Sequence, residues 1–379
     1  MTNQPYKDLV IPPELRPSDG RFGSGPSKVR PEAVDALAGQ AAGFLGTSHR
    51  QATVRNKVHR LKEGLVELFA LPSDYEVVLG IGGATYFWDA MAFCLIEERS
   101  QHLVFGEFSS KCAEAARLAP HLAEPEVISS DFGTHPEPKP SDVDLYALTH
   151  NETSTGVWMP VTRPADEGLV AVDGTSAAGG LDVDLTQADV YYFSPQKGFA
   201  SEGGLWVALC SPAAIDRIGK VAAAGRYIPP SLDLSIALEN SRKDQTYNTP
   251  ALATLFLMVE QIDWFLSQGG LAWSVGRSAR SADILYSWAE QSRVATPFVA
   301  DPAQRSNVVG TIDFVAGVDA AEIAKVLRSN GILDTEPYRK LGRNQLRIAM
   351  YPAIEPDDVK LLTRCIDHIV DVLDQTSGS

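Results

Sequence analysis

Short apolar runs alternate with helical patterns through the first two thirds of the chain. The runs are rich in β-branched and aromatic residues, as is typical of buried strands. They predict strands at 75–81, 102–108, 143–150, 169–173, 189–194 and 204–210. Because strands that alternate with helices usually pair in parallel, the pattern predicts an α/β fold with a mostly parallel central sheet sandwiched by helices.

The last third of the chain has a different pattern. After a long helical segment at 252–266, helices alternate with two strand-like runs at 307–314 and 345–351. This order is typical of a smaller α+β unit. We therefore predict a large domain over residues 1–266, with an N-terminal arm that contributes to the substrate site, and a small C-terminal domain over residues 267–379.

Composition narrows the class of protein. The formal net charge of the 379 residues is -15, which disfavours binding to nucleic acid or to an anionic membrane surface. The four cysteines are widely spaced, so we expect buried thiols and no structural zinc. The chain shows no signal-peptide pattern and no apolar run of membrane-spanning length, and we expect a cytoplasmic protein.

Candidate binding and catalytic residues are sought at the ends of the predicted strands, because ligands of parallel sheets bind beyond the carboxyl ends of the strands. Segment 82–85 precedes a helix, whose first backbone amides and the Thr85 hydroxyl can bind a phosphate. Asp173 ends one apolar run and Lys197 closely follows another. Each feature alone also has an ordinary explanation, namely a turn, a helix N-cap or a solvated lysine.

The combination of these three groups predicts a pyridoxal 5'-phosphate site. The cofactor needs a lysine for its aldehyde, a carboxylate for its ring nitrogen and backbone amides for its phosphate. A lysine at the mouth of a partly desolvated cleft has a lowered pKa, which makes its amine a nucleophile and a proton carrier.

Several motifs then occur in a family-specific order, namely GSGPS, TSHR, NETSTGV, VDGTSAAGG, SPQKGFASEGGLW and YNTP. With them the chain resembles the phosphoserine aminotransferases, class-V members of the fold-type-I pyridoxal-phosphate aminotransferases. The resemblance covers residues 20–350. The segment GIGGATYFW departs from it, because many members have a GGGxGQF pattern there.

The resemblance implies roles around the cofactor. Lys197 resembles the Schiff-base lysine and Asp173 the partner of the ring nitrogen. The remaining implied contacts are Ala84 and Thr85 at the phosphate, Thr153 near the ring hydroxyl, Gln196 beside the phosphate or a ring oxygen, and Phe108 over the ring. Phe108 stands where tryptophan is common, and a core phenylalanine at a strand end remains the alternative. Asn248 and Thr249 resemble the pair that reaches the cofactor phosphate of the neighbouring subunit, which implies an obligate homodimer.

The resemblance also implies how small anionic substrates bind. His49 and Arg50 correspond to residues that bind the distal phosphate or carboxylate from across the dimer. Arg347 lies among apolar residues, where an arginine needs an anion, and corresponds to the arginine that binds the α-carboxylate. Lys340 and Arg343 fall where the family has a phosphate-binding pair, and the sequence does not choose between them. Ser24 resembles a turn residue near the substrate, and turn chemistry alone would also explain it.

The implied activity is a reversible ping-pong transamination. It converts 3-phosphohydroxypyruvate and L-glutamate into O-phospho-L-serine and 2-oxoglutarate in L-serine biosynthesis. The family also acts on 3-hydroxy-2-oxo-4-phosphooxybutanoate in pyridoxine biosynthesis, and the sequence leaves open whether this chain does. The alternatives are another class-V aminotransferase, such as the alanine-glyoxylate type, and a non-catalytic protein that binds the cofactor. A cysteine desulfurase is disfavoured because segment 329–345 holds no cysteine.

Overall fold

The computed structural model describes residues 9–377, which form a large α/β part and a smaller α+β part. The helices are α1 (Pro31–Phe44), α2 (Ala52–Leu68), α3 (Ala84–Cys94), α4 (Glu107–Leu118), α5 (Pro212–Ala223), α6 (Leu234–Ser241), α7 (Leu252–Gln268), α8 (Gly270–Gln291), α9 (Ala320–Ser329) and α10 (Pro356–Ser377). The strands are β1 (Glu76–Gly82), β2 (Ser100–Val104), β3 (Glu126–Ser129), β4 (Leu145–Thr149), β5 (Asn151–Glu152), β6 (Val157–Trp158), β7 (Leu169–Asp173), β8 (Val190–Phe193), β9 (Gly204–Cys210), β10 (Ala295–Pro297), β11 (Val309–Phe314) and β12 (Gln345–Ala349).

The central sheet confirms the predicted fold class. Its strand order is β1-β9-β8-β7-β4-β2-β3, and the inner pairs β8-β7, β7-β4, β4-β2 and β2-β3 are parallel. Strand β9 runs antiparallel to both β1 and β8. The carboxyl ends of β4, β7 and β8 therefore meet at one edge of the sheet.

Helices cover both faces of this sheet. Successive side chains of a strand point to opposite faces, so Tyr191 and Phe193 enter the hydrophobic cluster that includes residues of α1, α2 and α7. Tyr192 enters the cluster on the other face, with residues of α3, α4, α5 and α6. The four cysteines are all buried free thiols, as expected.

The predicted strand at 102–108 is wrong in its second half. Strand β2 ends at Val104, and α4 begins at Glu107. The buried carboxylate of Glu152 causes this change, because it accepts hydrogen bonds from the backbone N–H of Phe108 at 3.3 Å and of Ser109 at 2.9 Å. It thereby satisfies amides that the first turn of a helix leaves free. Phe108 thus lies in the first turn of a helix, and the alternative of a core residue at a strand end is corrected.

The smaller part is built on the antiparallel sheet β10-β11-β12, packed against α8, α9 and α10. The N-terminal segment 9–22 packs into the same core through Ile11 and Phe22. The backbone N–H of Ile11 donates to Asn330 Oδ1 at 2.9 Å, and that of Ser18 donates to Asp358 Oδ1 at 2.7 Å. The division at residue 266 stays a prediction, while the described N-terminal residues pack against residues far beyond it.

Within residues 9–377, no helix combines the length and the apolar character that a membrane crossing requires.

Candidate active site

A cavity of about 300 Å³, here called the inner cavity, lies at the carboxyl edge of the parallel strands. Loops after β4, β7 and β8 and the first turns of α3 and α4 line it, together with Tyr338 and Arg347 from the smaller part. A larger outer cavity of about 760 Å³ shares wall residues with it. The sequence-predicted residues that line the inner cavity are Ser24, Ala84, Thr85, Phe108, Thr153, Asp173, Gln196, Lys197 and Arg347.

Lys197 is buried in the wall of the inner cavity. Its Nζ donates to Thr153 Oγ1 at 2.8 Å and lies 5.0 Å from the centre of the Phe108 ring. Burial lowers the pKa of this amine to about 8, and the carboxylate of Asp173 only partly opposes that effect. A substantial fraction of the amine is therefore neutral near physiological pH, which is what a nucleophile requires.

Gly25 makes room for this lysine. A β-carbon at position 25 would lie 2.9 Å from Lys197 Cε, and the backbone φ of +140° is one that residues with side chains rarely adopt. The motif GSGPS therefore has a steric role at the site, in addition to its turn. Ser24 lines both cavities, and its buried hydroxyl has no hydrogen-bond partner among the described residues.

Asp173 lies at the end of β7 and is 6% exposed. Its Oδ1 accepts a hydrogen bond from the backbone N–H of Thr175 at 2.9 Å, and its Oδ2 accepts one from the indole N–H of Trp88 at 3.0 Å. The sequence reasoning missed Trp88, because a tryptophan in an apolar helix is normally a core residue. The only sequence feature that could have pointed to Trp88 was its position one helical turn after the predicted phosphate-binding segment.

The residues at this edge fit pyridoxal phosphate. The first turn of α3, with Ala84 and Thr85, offers free backbone N–H groups to a phosphate. Two buried oxygens in the cavity wall, Gln196 Oε1 and Thr175 Oγ1, lack partners in the part of the chain that the structure describes. Unpartnered buried polar atoms are costly unless a ligand satisfies them. An amine, a carboxylate, a helix N-terminus and these orphaned atoms are the set that the cofactor needs.

Phe108 contributes an aromatic face to the inner cavity. Its ring centre lies 5.9 Å from that of Tyr338, so α4 and the smaller part meet here. The position suits a ring that covers a planar cofactor, and that role stays a prediction.

Arg347 brings a positive charge to the other side of the inner cavity. Its Nη1 donates to the carbonyl of Thr153 at 3.3 Å, and its guanidinium lies 5.4 Å from the Tyr338 ring centre. Burial lowers its pKa. Its buried Nε has no hydrogen-bond partner, and it forms no ion pair with any residue from 9 to 377. A guanidinium in this state lacks the anion that would offset its burial.

The two candidates for the distal anion are placed differently. Lys340 lines the outer cavity and pairs with Glu107 of α4. Arg343 pairs with Asp313, lies 4.4 Å from the Phe298 ring centre, and lines neither cavity. Arg339, which the sequence reasoning missed, lines the outer cavity and has no carboxylate partner among the described residues. The only sequence feature that could have pointed to Arg339 was its neighbour Lys340, which was already a candidate.

The four residues predicted to act across a dimer lie outside both cavities of their own chain. They are His49, Arg50, Asn248 and Thr249. The structure brings two of them together, with His49 Nδ1 at 3.2 Å from Thr249 Oγ1. Partial burial and the neighbouring Arg50 lower the pKa of His49. Their placement away from the chain's own cavity is compatible with a shared site, which stays a prediction.

The chain belongs to the class-V aminotransferase family, whose profile matches residues 22–336. Among its relatives are phosphoserine aminotransferases. That of Nocardioides sp. is 61% identical over 370 residues, which cover 96% of this chain and 99% of the relative.

Solved structures give the same result for the fold. The phosphoserine aminotransferase of Cytophaga hutchinsonii superposes with a TM-score of 0.85 at 26% identity, over 92% of this chain and 99% of the other. That of Bacillus circulans subsp. alkalophilus superposes with a TM-score of 0.81 at 20% identity, over 92% of this chain and 98% of the other. The predicted family and the fold-type-I architecture are confirmed.

Proposed function

We propose that this chain is a pyridoxal-phosphate-dependent phosphoserine aminotransferase. It transfers the amino group between L-glutamate and 3-phosphohydroxypyruvate, as one step of L-serine biosynthesis in the cytoplasm. The observation that carries the proposal is the buried Lys197 amine, flanked by Asp173 and by Arg347, which has no anionic partner within residues 9–377. The 61% identity to a phosphoserine aminotransferase of almost equal length supports the choice of substrate.

The inner cavity would hold the cofactor by groups at opposite ends. The first turn of α3 and Gln196 would bind the phosphate, and Asp173 would accept a hydrogen bond from the ring nitrogen. When bound, pyridoxal phosphate supplies an aldehyde that takes up the amino group and a ring that withdraws electrons from the α-carbon.

Lys197 is the residue that moves protons. Since burial keeps its pKa at about 8, its Nζ can accept the α-proton of a substrate and return it during the same cycle. The Thr153 hydroxyl holds Nζ in place at 2.8 Å. Two N–H donors, the indole of Trp88 and the backbone of Thr175, orient the carboxylate of Asp173, whose remaining lone pairs can accept a hydrogen bond from a protonated ring nitrogen.

Substrate recognition uses charges at the two ends of the site. Arg347 would bind the α-carboxylate that the amino acids share, because a guanidinium matches a carboxylate with two parallel hydrogen bonds. The distal phosphate or carboxylate would reach the outer cavity, where Arg339 and Lys340 lie. In a homodimer, His49 and Arg50 of the partner subunit would complete that end.

A half-reaction test distinguishes this function from its nearest alternative. L-glutamate, O-phospho-L-serine and L-alanine are added separately to the holoenzyme, and the absorbance of the bound cofactor is followed. We expect glutamate and phosphoserine to convert the cofactor to its amine form rapidly. Conversion by alanine without conversion by phosphoserine would indicate an alanine-glyoxylate type enzyme and would overturn the proposal.

Shared sites are tested by mixing two inactive variants. Lys197→Ala removes the amine of one site, and Arg50→Ala removes the charge that we assign to the neighbouring site. If the subunits exchange and the residues act across the interface, each hybrid dimer has one intact site, so about a quarter of the wild-type activity should return. Activity that stays at the level of the separate variants, while exchange is verified by differently tagged subunits, would contradict the shared site.

A further inference from the structure

Helix α3 reaches both ends of the proposed cofactor site. Its first turn, with Ala84 and Thr85, lines the inner cavity at the proposed phosphate end. Trp88 follows Ala84 by four residues and therefore lies on the same face of the helix, one turn further along. Trp88 is 3% exposed and also lines the cavity. Its indole N–H donates to Asp173 Oδ2 at 3.0 Å.

The two hydrogen-bond donors to Asp173 differ in which elements of the fold they connect. The backbone N–H of Thr175 belongs to the turn that follows β7, so this bond moves together with Asp173. The indole of Trp88 comes from a separate element and ties the carboxylate to α3. Asp173 has no ion-pair partner among residues 9–377, so its buried charge depends strongly on each hydrogen bond that it accepts.

We propose that Trp88 is a positioning residue that holds Asp173 at a set distance from the first turn of α3. One rigid helix then sets the spacing between the phosphate-binding amides and the carboxylate that meets the ring nitrogen. The indole bond also orients the carboxylate of Asp173 and leaves its other lone pairs free to accept a ring N–H. The inference rests on the proposed cofactor but not on the identity of the substrate.

The chain offers a matched control for this idea. Trp206 of β9 is also 3% exposed, but its indole nitrogen has no hydrogen-bond partner among the described residues. It packs edge-on against Phe87 with ring centres 5.0 Å apart and does not line the inner cavity. Trp206→Phe therefore removes a buried indole of the same size without loss of a hydrogen bond to Asp173.

The experiment compares Trp88→Phe, Trp206→Phe and Trp88→His. Each apoprotein is first tested for cooperative unfolding, and its dissociation constant for pyridoxal phosphate is then measured. The protonation of the ring nitrogen is followed by the 15N chemical shift of labelled cofactor across pH. In Trp88→His the imidazole Nε2 takes a position equivalent to that of the indole nitrogen, so the donor is retained in a smaller ring.

We expect Trp88→Phe to weaken cofactor binding about tenfold, as for loss of a hydrogen bond to a charged group. The ring nitrogen should also lose its proton at a lower pH than in the wild type. Trp206→Phe should bind the cofactor within about twofold of the wild type, and Trp88→His should restore most of the affinity and of the pH profile.

The outcomes separate this inference from the proposed function. If Trp88→Phe leaves both the dissociation constant and the 15N profile unchanged, or if the two phenylalanine variants behave alike, the positioning role is wrong. If the wild-type apoprotein does not bind pyridoxal phosphate at all, the proposed function fails instead.

Discussion

The inner cavity and the outer cavity are built by different means. Lys197 and Asp173 are buried; Asp173 ends β7 and Lys197 lies in the loop after the adjacent parallel strand β8, so the hydrogen bonds of the sheet bring both residues to the same edge. Arg339 and Lys340 are exposed and lie in the short 3₁₀ turn Arg339–Leu341. Lys340 already pairs with Glu107, and Arg339 has no carboxylate partner among the described residues.

This difference separates chemistry from selection. The sheet determines the position of the groups that would move protons and hold the ring. Substitutions at these buried positions would therefore disturb the site itself. The cations that would select the distal anion sit on a surface turn, where a substitution alters few other contacts. A fold of this kind can keep one reaction while the substrate that it accepts changes. The predictions below test whether the two regions are as separable as the structure indicates.

Removal of the buried amine should have the largest effect. We expect Lys197→Ala to lower the turnover number at least about 1000-fold, because the proton carrier is lost. The measurement is steady-state transamination with glutamate. Lys220→Ala on α5, whose side chain is 68% exposed, is the control and should retain wild-type turnover. Substantial turnover by Lys197→Ala would contradict the assigned role.

Arg347 lies where the two cavities meet, and its removal should affect every amino-acid substrate. We expect Arg347→Gln to lower kcat/KM by about 100-fold for glutamate and phosphoserine alike, as for a lost bond between two charged groups. The melting temperature of the apoprotein should not fall, since the change removes a partly buried cation that has no anionic partner in the described part of the chain. Arg343→Gln is the control. A loss restricted to phosphoserine would show that Arg347 binds the distal group instead.

The outer cavity is tested by the ratio of two substrates. We expect Arg339→Gln to lower kcat/KM for phosphoserine about tenfold while leaving the much slower reaction with alanine unchanged. Lys340→Gln should have a smaller effect, because Lys340 is paired with Glu107. Arg343→Gln should have none, because Arg343 lines neither cavity. The reverse order of the three variants would show that Arg339 is not the main phosphate ligand.

The smallest expected effect is the pH dependence of apoprotein stability. The pKa of Lys197 is about 8 in the folded chain and 10.5 in the reference state. The unfolded chain therefore binds more protons between these values, so the contribution of Lys197 to the free energy of unfolding rises with pH across that window.

Urea unfolding of the apoprotein and of Lys197→Met across this pH window tests that effect. The methionine variant should be the more stable one below about pH 8, and the difference should shrink as the pH approaches 10.5. If the difference in free energy of unfolding between the two proteins does not change with pH, folding does not lower the pKa of Lys197.

Sequence patterns predicted the inner cavity well because its chemistry follows from strand ends. Asp173 ends one apolar run and Lys197 closely follows another, and the sheet brings such positions together. The antiparallel direction of β9 was not predictable, since an apolar run carries no sign of its direction. Phe108 was misplaced because the carboxylate that starts its helix, Glu152, is 44 residues away.

Trp88 and Arg339 show a second limit of sequence patterns. Trp88 has the spacing of a core residue, and only the fold reveals that its N–H group meets a carboxylate 85 residues further along the chain. Arg339 stands beside Lys340 in a charged segment, and only the structure shows which of the two cations already has a partner. Polar partners of this kind are separated in sequence and leave no periodic signal.

The N-terminal segment packed into the smaller part has a consequence for synthesis of the chain. Ile11 meets its hydrogen-bond partner Asn330 across a separation of 319 residues. At about 5–20 residues per second, a ribosome needs on the order of tens of seconds to produce that partner. Until then the apolar side chains of Ile11 and Phe22 lack their native core. The large sheet can form before that core is complete. The first described residues of the chain are thus among the last to reach their final place.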